Sequence, residues 1–315
     1  MNPLEHIESR PGFHSGICAI IGPPNSGKST LLNTFLGQKV SIVTPKPQTT
    51  RNRISGILNR AGAQIVFLDT PGIHHTTQTL NRFIVDTAWQ ALTEADCLLL
   101  VLDAALYTRK GEQKLHVDLA PFGQRIQQLG LPLLLALNKI DCIRNRTGLL
   151  PLMEQLAGVF PDVSLYPISA WTGDGTETLV QACLEVLPES MPLFADDQLT
   201  TLPMRFFAQE IIREKLFLAL NQELPYSIAV EIENWQELPE KNLTLIQAVI
   251  YVARPQHKQI VIGKHGARLK QVGREARLEL NTLLEQRAHL ELWVKVKPKW
   301  HENRSFLEQL LPESL

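Results

Sequence analysis

Short apolar runs alternate with amphipathic segments through the first 187 residues of the chain. Apolar runs of this length between turn-forming residues are typical of buried strands, and apolar residues that recur every three or four positions are typical of helices. The pattern predicts strands over 17–21, 54–58, 64–68, 97–102, 133–137 and 163–168. It predicts helices over 79–94 and 176–187, and a helix from Lys28 that Gly37 can terminate. Such alternation favours an α/β fold with a mostly parallel sheet and helices on both faces.

The pattern changes at residues 188–203, where three prolines, a polar acidic centre and the lack of a helical period indicate a linker between domains. Beyond it, the pattern predicts a helix over 205–220, strands over 226–233 and 243–252, a long helix over 266–286 and a last strand over 290–296. Residues 260–262 are ambiguous by periodicity. We therefore divide the chain into a first domain over 1–190, a linker over 191–204 and a smaller α+β domain over 205–315.

The charges of the chain are distributed unevenly along its length. Residues 254–304 hold twelve Lys and Arg against five Asp and Glu, a net charge of +7, whereas residues 1–253 carry −6 and the whole chain −1. A basic block in a near-neutral chain suggests contact with a nucleic acid or another anionic surface. A solvated face of a charged helix explains the block equally well, so charge alone leaves both interpretations open.

Composition excludes several other classes of protein. With 315 residues, 44% hydrophobic and 20% charged, the chain is typical of a globular protein with two domains. Its four cysteines form no C-x-x-C pair, so we predict no zinc site or disulfide framework and expect buried thiols in a reducing cytosol. The N-terminal residues lack an apolar signal region, and no apolar run reaches the ~18 residues that span a bilayer. A peripheral membrane contact stays open.

A glycine-rich loop between the first predicted strand and the first predicted helix matches the phosphate-binding pattern G-x-x-x-x-G-K-[ST]. It consists of Gly22, Pro23, Pro24, Asn25, Ser26, Gly27, Lys28 and Ser29, and Thr30 follows. Inward-facing backbone N–H groups and the positive end of the helix favour phosphate oxygens. Lys28 can reach the β- and γ-phosphates, and Ser29 can ligate Mg²⁺.

A second motif directly follows a predicted strand, about 110 residues after the phosphate loop. It consists of Asn138, Lys139, Ile140 and Asp141. Asp141 can accept hydrogen bonds from the N1–H and the exocyclic amine of guanine, and because adenine lacks that pair of donors, the motif favours GTP over ATP. Asn138 can brace the loop, and the stem of Lys139 can lie over the base. Ser169 and Ala170 follow the last predicted strand of the sheet, where a backbone N–H can reach the guanine O6.

A third motif, at the end of the predicted strand over 64–68, consists of Asp69, Thr70, Pro71 and Gly72. Asp69 suits a water-mediated contact with Mg²⁺, and Gly72 allows the backbone to approach the γ-phosphate. In the segment over 48–51, a threonine hydroxyl can complete the Mg²⁺ shell when GTP is bound, and we prefer Thr50 to Thr49. Ordering of this segment by the γ-phosphate and Mg²⁺ would make it a switch. The candidate catalytic residues are Lys28, Thr50 and Gly72, and the candidate Mg²⁺ ligands are Ser29, Thr50 and Asp69.

These motifs have the order and spacing of translation-factor-like GTPases, and with the C-terminal segment the chain resembles the Era family of bacterial GTPases along nearly its whole length. The matching stretches are GPPNSGKSTLLN, PQTTR, FLDTPGIH, NKID, ISA, ELPYSIAVEIE, QIVIGKHGARLKQVGREAR and LWVKVKPKW. The resemblance implies a P-loop G domain followed by a type II KH domain, with GTP or GDP and Mg²⁺ as ligands. It also implies binding to the 3′ end of 16S rRNA and a part in maturation of the 30S ribosomal subunit.

Two positions of the nucleotide site make more specific predictions. Ile73 follows Gly72, where the commonest GTPase pattern has a glutamine that orients the attacking water. An isoleucine cannot do so by hydrogen bonding, which is typical of the subgroup that includes Era-like proteins, and we expect slow intrinsic hydrolysis. Asn25 matches the asparagine with which related GTPases hold K⁺ near the phosphates, so the resemblance predicts that turnover depends on K⁺.

A G-x-x-G pattern opens the long predicted helix inside the basic block. Such a turn lets the backbone pass close to nucleic-acid phosphates. In KH domains the segment before G-x-x-G is a short helical turn, so the resemblance predicts a helix at 260–262, although the local sequence looks more like a strand. The predicted RNA-binding residues are Ile262, Gly263, Lys264, His265, Gly266, Arg268, Lys270, Arg274, Lys297, Lys299 and Trp300. Trp300 either stacks on a base or covers the edge of the domain.

Two other functions stay open at this point. A kinase or ATPase would use the same phosphate loop, but Asp141 and the motif at 69–72 argue against it. A membrane-associated regulatory GTPase would place the basic domain on anionic lipid, and peripheral inner-membrane association is also attributed to the Era family. His74 and His75 lie beside the switch, but no carboxylate or cysteine cluster there indicates a metal site. We expect a monomer in the cytoplasm.

Overall fold

A six-stranded sheet forms the centre of the N-terminal part of the molecule. The structure, a computed structural model, describes residues 12–46, 49–73 and 79–310 of the 315-residue chain. The strands are β1 (His14–Ile21), β2 (Ile54–Arg60), β3 (Ala63–Asp69), β4 (Cys97–Asp103), β5 (Leu133–Asn138) and β6 (Leu165–Pro167), in the spatial order β2-β3-β1-β4-β5-β6. The pairs are parallel except for β2, which is antiparallel to β3. The predicted mostly parallel sheet is therefore confirmed, although β6 is shorter than the predicted strand over 163–168.

Helices cover both faces of this sheet. They are α1 (Lys28–Leu36), α2 (Thr79–Ala91), α3 (Ala104–Lys110), α4 (Glu112–Leu119), α5 (Gly123–Leu129), α6 (Leu149–Val159) and α7 (Thr176–Val186). One buried apolar cluster joins the sheet to α1 and α7, and another joins the opposite face to α2 through α6. Gly37 terminates α1 in the left-handed conformation, with φ 66°, as the sequence predicts. The sequence pattern did not predict α3 to α6, because three of them have only seven or eight residues and carry little period.

The C-terminal part contains a second, three-stranded sheet in the order β7-β8-β9. Its strands are β7 (Ile228–Leu238), β8 (Leu243–Val252) and β9 (Arg287–Val296), and its helices are α8 (Met204–Ala219), α9 (Pro255–Ile262), α10 (Ala267–Leu284) and α11 (Arg304–Leu310). β7 and β8 are antiparallel, and β8 and β9 are parallel. α8, α9 and α10 pack on the sheet through one apolar cluster. The helical turn that the family resemblance predicted at 260–262 is confirmed, and the strand-like appearance of that segment was misleading.

The segment over 188–203 packs along the first sheet. The side-chain oxygen of Gln64 accepts hydrogen bonds from the backbone N–H groups of Leu193 and Phe194, at 2.7 and 2.9 Å. The N–H of Ile57, on β2, donates to the carbonyl of Leu199 at 2.8 Å. The predicted linker is therefore fixed to β2 and β3 over most of its length. Among the described residues, no helix is both long enough and apolar enough to cross a membrane.

Candidate functional site

The phosphate loop connects β1 to α1 and borders a cavity of about 330 Å³. Two of its glycines have positive φ, 147° at Gly22 and 97° at Gly27. A Cβ at Gly22 would lie 2.3 Å from the carbonyl oxygen of Val101, and one at Gly27 would lie 2.2 Å from Nδ2 of Asn138. Only glycine fits these positions without displacing β4 or the second motif. The predicted residues that line the cavity are Pro24, Asn25, Gly27, Lys28, Ser29, Thr30, Thr50, Gly72 and Lys139.

Lys28 is buried at the base of this cavity. Its ammonium donates to the carbonyl oxygens of Gly22 and Pro23, at 3.0 and 2.9 Å. Burial lowers the pKa of Lys28 to about 8, an effect that the nearby Asp69 carboxylate partly opposes. A phosphate beside this ammonium would favour its charged form, so the site is suited to an anionic ligand.

Three oxygen-bearing side chains meet beside Lys28. The hydroxyl of Ser29 donates to Oδ2 of Asp69 at 2.6 Å and lies 2.7 Å from the hydroxyl of Thr50. Oδ1 of Asp69 is buried and has no hydrogen-bond partner in the described part of the chain. Burial raises the pKa of Asp69, although the Ser29 hydrogen bond and Lys28 oppose the shift. Hydroxyl and carboxylate oxygens with an unused lone pair are the donor set that Mg²⁺ prefers, so these residues fit the predicted ion.

The structure distinguishes the two candidate threonines by their contacts. Whereas Thr50 lies at Ser29, the hydroxyl of Thr49 points elsewhere, to the hydroxyl of Thr44 and the carbonyl of Lys46, both at 2.7 Å. The geometry supports the preference for Thr50. Gln48, which belongs to the same motif, lies outside the described residues, as do His74 and His75.

Asn138 connects three segments of the site. Its Nδ2 donates to the carbonyl of Ser26 at 2.8 Å, and its Oδ1 accepts from the backbone N–H groups of Lys139 and Ala170 at 2.8 and 2.9 Å. The predicted bracing role therefore extends from the phosphate loop to the loop after β6. Because the N–H of Ala170 bonds Asn138, it is not directed at a guanine O6 in this structure. Asp141 accepts from the hydroxyl of Ser169 at 2.6 Å, which lowers its pKa and keeps it a carboxylate acceptor.

The sequence did not single out Asp103, the last residue of β4. Its Oδ2 accepts from the ammonium of Lys139 at 2.6 Å, and its Oδ1 accepts from the N–H of Leu106, which caps α3. The Lys139 ammonium also donates to the carbonyl of Asn25 at 2.6 Å. Asp103 therefore fixes the lysine expected over the base. A carboxylate at the carboxyl end of a buried strand, next to the strand that carries Asn138, was the available signal.

The motif over 69–72 approaches the phosphate loop closely. A Cβ at Gly72 would lie 2.7 Å from Cα of Pro24, so this glycine permits contact between the two backbones. The hydroxyl of Thr70 donates to the carbonyl of Ile20, and the N–H of Ile73 to the carbonyl of Gly22. Ile73 is buried in the core, and Pro71 is buried too. Thr70 and Ile73 thus anchor the motif to β1 and the phosphate loop rather than facing the cavity.

The G-x-x-G turn joins α9 to α10. Gly263, His265 and Gly266 all have positive φ, of 75°, 50° and 75°. Lys264 and His265 are exposed in the turn, and Lys270 and Arg274 are exposed on α10; Ile262 is half-buried. Arg268 donates to the carbonyl of Ile260, which ties the turn to α9. These residues form a basic exposed surface around an unusual backbone turn.

The predicted RNA-binding residues after β9 lie in a different environment. Trp300 is 2% exposed and packs in an apolar cluster with Leu80, Ala229 and residues of α11. The structure contradicts base stacking on Trp300 because neither ring face is exposed, and it supports the alternative that Trp300 covers the domain edge. The ammonium of Lys297 lies 3.1 Å from the centroid of the Phe306 ring. Lys299 remains exposed.

Two family models match the chain: "50S ribosome-binding GTPase" over residues 17–139 and "KH domain" over 223–301. GTPase Era of Nitratidesulfovibrio vulgaris (strain DP4) is 50% identical over 295 residues, 94% of this chain and 96% of that relative. GTPase Era of Geotalea daltonii is 44% identical over 297 residues, 94% of this chain and 97% of the relative.

Solved structures give the same result. A variant of Era from Aquifex aeolicus bound to GDP and AlF4⁻ has a TM-score of 0.89 and 40% identity, over 96% of this chain and 100% of that one. Era with MgGDPNP and nucleotides 1506–1542 of 16S ribosomal RNA has a TM-score of 0.88 with the same identity and coverage. The predicted resemblance is confirmed along nearly the whole sequence, and the chain belongs to the Era family of GTPases.

Proposed function

We propose that this GTPase binds the 3′ end of 16S rRNA through its KH domain, in a manner gated by the bound nucleotide, and assists maturation of the 30S subunit. The observation that carries the proposal is the G-x-x-G turn, whose positive-φ backbone is bordered by exposed Lys264, Lys270 and Arg274. The related Era structure that contains a 16S rRNA fragment supports the same ligand.

In the nucleotide site, Ser29 and Thr50 would ligate Mg²⁺, and Asp69 would contact it through water. The ion supplies neutralisation of charge on the β- and γ-phosphates. Lys28, held by two neutral carbonyls, transfers its hydrogen bonds to phosphate oxygens when the nucleotide arrives. Gly72 brings its backbone to the γ-phosphate, and Asp141 selects guanine by accepting two N–H bonds.

Asp141→Asn replaces one acceptor oxygen of this side chain by an N–H donor. In competition assays the variant should therefore bind xanthine nucleotides in preference to guanine nucleotides.

Slow intrinsic hydrolysis belongs to the same proposal. Ile73 is buried among apolar side chains and offers no group to orient a water molecule. A single-turnover assay should therefore give slow hydrolysis without RNA, and fast hydrolysis by the chain alone would contradict this expectation.

Asn25 lies in the phosphate loop with φ 63°, and its carbonyl accepts a hydrogen bond from the ammonium of Lys139. We propose that GTP turnover depends on K⁺ held by Asn25. Equal turnover in Na⁺ and K⁺ would disprove this dependence.

The main test measures binding of the full chain to a short RNA that matches the 16S 3′ end, with GDP or a non-hydrolysable GTP analogue, over a range of salt. Tighter binding with the GTP analogue is expected, and equal affinity would reject nucleotide gating. Lys264→Glu should weaken binding and reduce the slope of log K against log salt by about 1 or more, the loss expected for one phosphate contact. Lys241→Glu, an equal charge change at another exposed site of the KH domain, is the control.

A regulatory GTPase that binds anionic lipid is the alternative use of the basic surface. Sedimentation with vesicles of anionic and neutral lipid separates the two functions. Replacing Gly266, whose φ is 75°, by valine distorts the turn and should injure RNA binding more than lipid binding. Equal loss of both, or vesicle binding without any sequence preference among RNAs, would favour the membrane function.

A further inference from the structure

The side chain of Arg51, in the N-terminal domain, is buried against the KH domain. Nη1 of Arg51 donates to the carbonyl of Ile228 at 2.7 Å, and Nη2 donates to the carbonyls of Tyr226 and Pro225 at 2.9 and 3.3 Å. The guanidinium also lies 5.6 Å from the centroid of the Phe217 ring, on α8. Arg51 is 6% exposed, so water cannot readily replace these hydrogen bonds, and their loss would leave buried polar groups without partners at a cost in free energy.

The partners of Arg51 are backbone carbonyls, two in the turn over 224–227 and one at Ile228, the first residue of β7. Carbonyls at such a turn lack partners within it and must be satisfied from outside. The nearby carboxylate of Glu210 bonds Arg213 through both of its oxygens, at 2.8 and 2.5 Å, so Arg51 is held mainly by dipoles. Burial lowers the pKa of Arg51 to about 9, and Arg213 adds to the shift. The guanidinium remains charged near neutral pH. We call its site on the carbonyls of Pro225, Tyr226 and Ile228 the Arg51 seat, and this site exists only while those carbonyls stay in place.

The residue before Arg51 is Thr50, whose hydroxyl lies 2.7 Å from that of Ser29 at the predicted Mg²⁺ site. The two Cα atoms are about 3.8 Å apart, as across any trans peptide bond. One dipeptide therefore has its first side chain in the nucleotide site and its second in the KH domain. Lys46, five residues upstream, donates to the carbonyls of Phe217 and Leu220, which ties the same segment to the end of α8.

We infer that Arg51 is a positioning residue for GTP hydrolysis: bound to the carbonyls of residues 225, 226 and 228, it holds Thr50 at the Mg²⁺ site, so the KH domain completes the hydrolytic site. This inference rests on the proposed role of Thr50 as a ligand. Displacement of the KH domain would withdraw Thr50 and slow hydrolysis. By linkage, ligation of Thr50 in the GTP state favours the arrangement in which the Arg51 seat is formed.

The test compares Arg51→Met with the wild type in the full chain. Methionine keeps an apolar stem over Phe217 and removes every donor. Single-turnover GTP hydrolysis should slow by roughly ten-fold or more, and half-saturation by Mg²⁺ should rise similarly, the usual effect of removing a group that orients a metal ligand. GDP affinity should change less than about two-fold, because the GDP complex does not use Thr50. Arg51→Lys, which keeps the charge with fewer donors, should give an intermediate rate.

Lys39→Met is the matched control. Its ammonium also bridges to the KH domain, at 2.6 Å from both Glu214 and Glu279, but it is not adjacent to a predicted Mg²⁺ ligand in sequence and its side chain is 43% exposed. Hydrolysis by Lys39→Met should stay within about two-fold of the wild type, because the lost ammonium is partly exposed and Lys215 still pairs with both carboxylates. An equal loss in both variants would mean that hydrolysis responds to weakened domain contact in general, and would overturn a specific role for Arg51.

A double variant separates failure of this inference from failure of the proposed function. If Arg51 acts through Thr50, Thr50→Ala/Arg51→Met should hydrolyse GTP no more slowly than Thr50→Ala alone. Loss of rate in Thr50→Ala with a normal rate in Arg51→Met would overturn the inference and leave the ligand role standing. Normal rates in both would overturn the ligand role itself. A parallel loss of GDP affinity and thermal stability in Arg51→Met and Arg51→Lys would show a merely structural residue.

Discussion

Asn138→Ala should destabilise the nucleotide-free protein and weaken GDP binding together. Asn138 is 2% exposed, and its side chain makes hydrogen bonds to Ser26, Lys139 and Ala170 between 2.8 and 2.9 Å. With a net contribution of about 0.5–1.5 kcal/mol for each bond, the substitution should cost about 2–4 kcal/mol. The same bonds hold the phosphate loop against the loop after β6, so in the variant GDP must order these loops itself, which weakens binding by up to the same free energy.

Urea unfolding of the nucleotide-free chain measures the first effect, and titration with a fluorescent GDP analogue measures the second. A loss of about 2–4 kcal/mol in binding corresponds to roughly 30- to 1000-fold in affinity. Asn145→Ala is the control, since Asn145 is exposed and its side chain bonds Thr147 within its own turn. If Asn138→Ala resembled this control in stability and affinity, the bracing function derived from its three bonds would be wrong.

Substitutions at three further residues test other parts of the structure. Asp103→Asn keeps the oxygen that caps α3 but loses the charge opposite Lys139, so GDP should dissociate several-fold faster while stability is unchanged. Asp103→Ala loses the cap as well as the charge, so it should also be less stable. Equal behaviour of the two variants would count against a role of Asp103 at Lys139. Gly72→Ala would place Cβ 2.7 Å from Cα of Pro24, so single-turnover hydrolysis should fall while GDP affinity is largely kept; an unchanged rate would reject the close approach. Trp300→Ala should cost about 3–5 kcal/mol of stability, and a loss of RNA affinity without destabilisation would instead restore the base-stacking role.

The features that the sequence predicted share one property: their signal is local. Fully buried strands such as β4 appear as continuous apolar runs, and Gly37 at the end of α1 is a residue type that a left-handed cap requires. Each of the three nucleotide motifs directly follows a predicted strand. Because the carboxyl ends of parallel strands meet at one edge of a sheet, this placement also predicted that the motifs lie together.

The features that the sequence missed depend on distant parts of the chain. α9 has a single fully buried residue, Val261, and therefore no period to detect. For Trp300 the sequence left base stacking and covering the domain edge open, because the packing of α11 and α2 over this side chain is not revealed by any pattern around residue 300. The motif that contains Arg51 predicts no role for it, since its partners are backbone carbonyls, which are present at every position of any sequence. Contacts between side chains and a distant backbone leave no compositional signature.

The fixed course of the segment before α8 limits how the two domains can move. The hydroxyl of Thr201 lies 2.6 Å from that of Ser55 on β2, and α8 begins at Met204. The three residue steps from Thr201 to Met204 span roughly 10 Å at full extension. A KH domain displaced from Arg51 would stay tethered at this corner. The carbonyls that hold Arg51 would then remain at high effective concentration, so the contact would re-form intramolecularly.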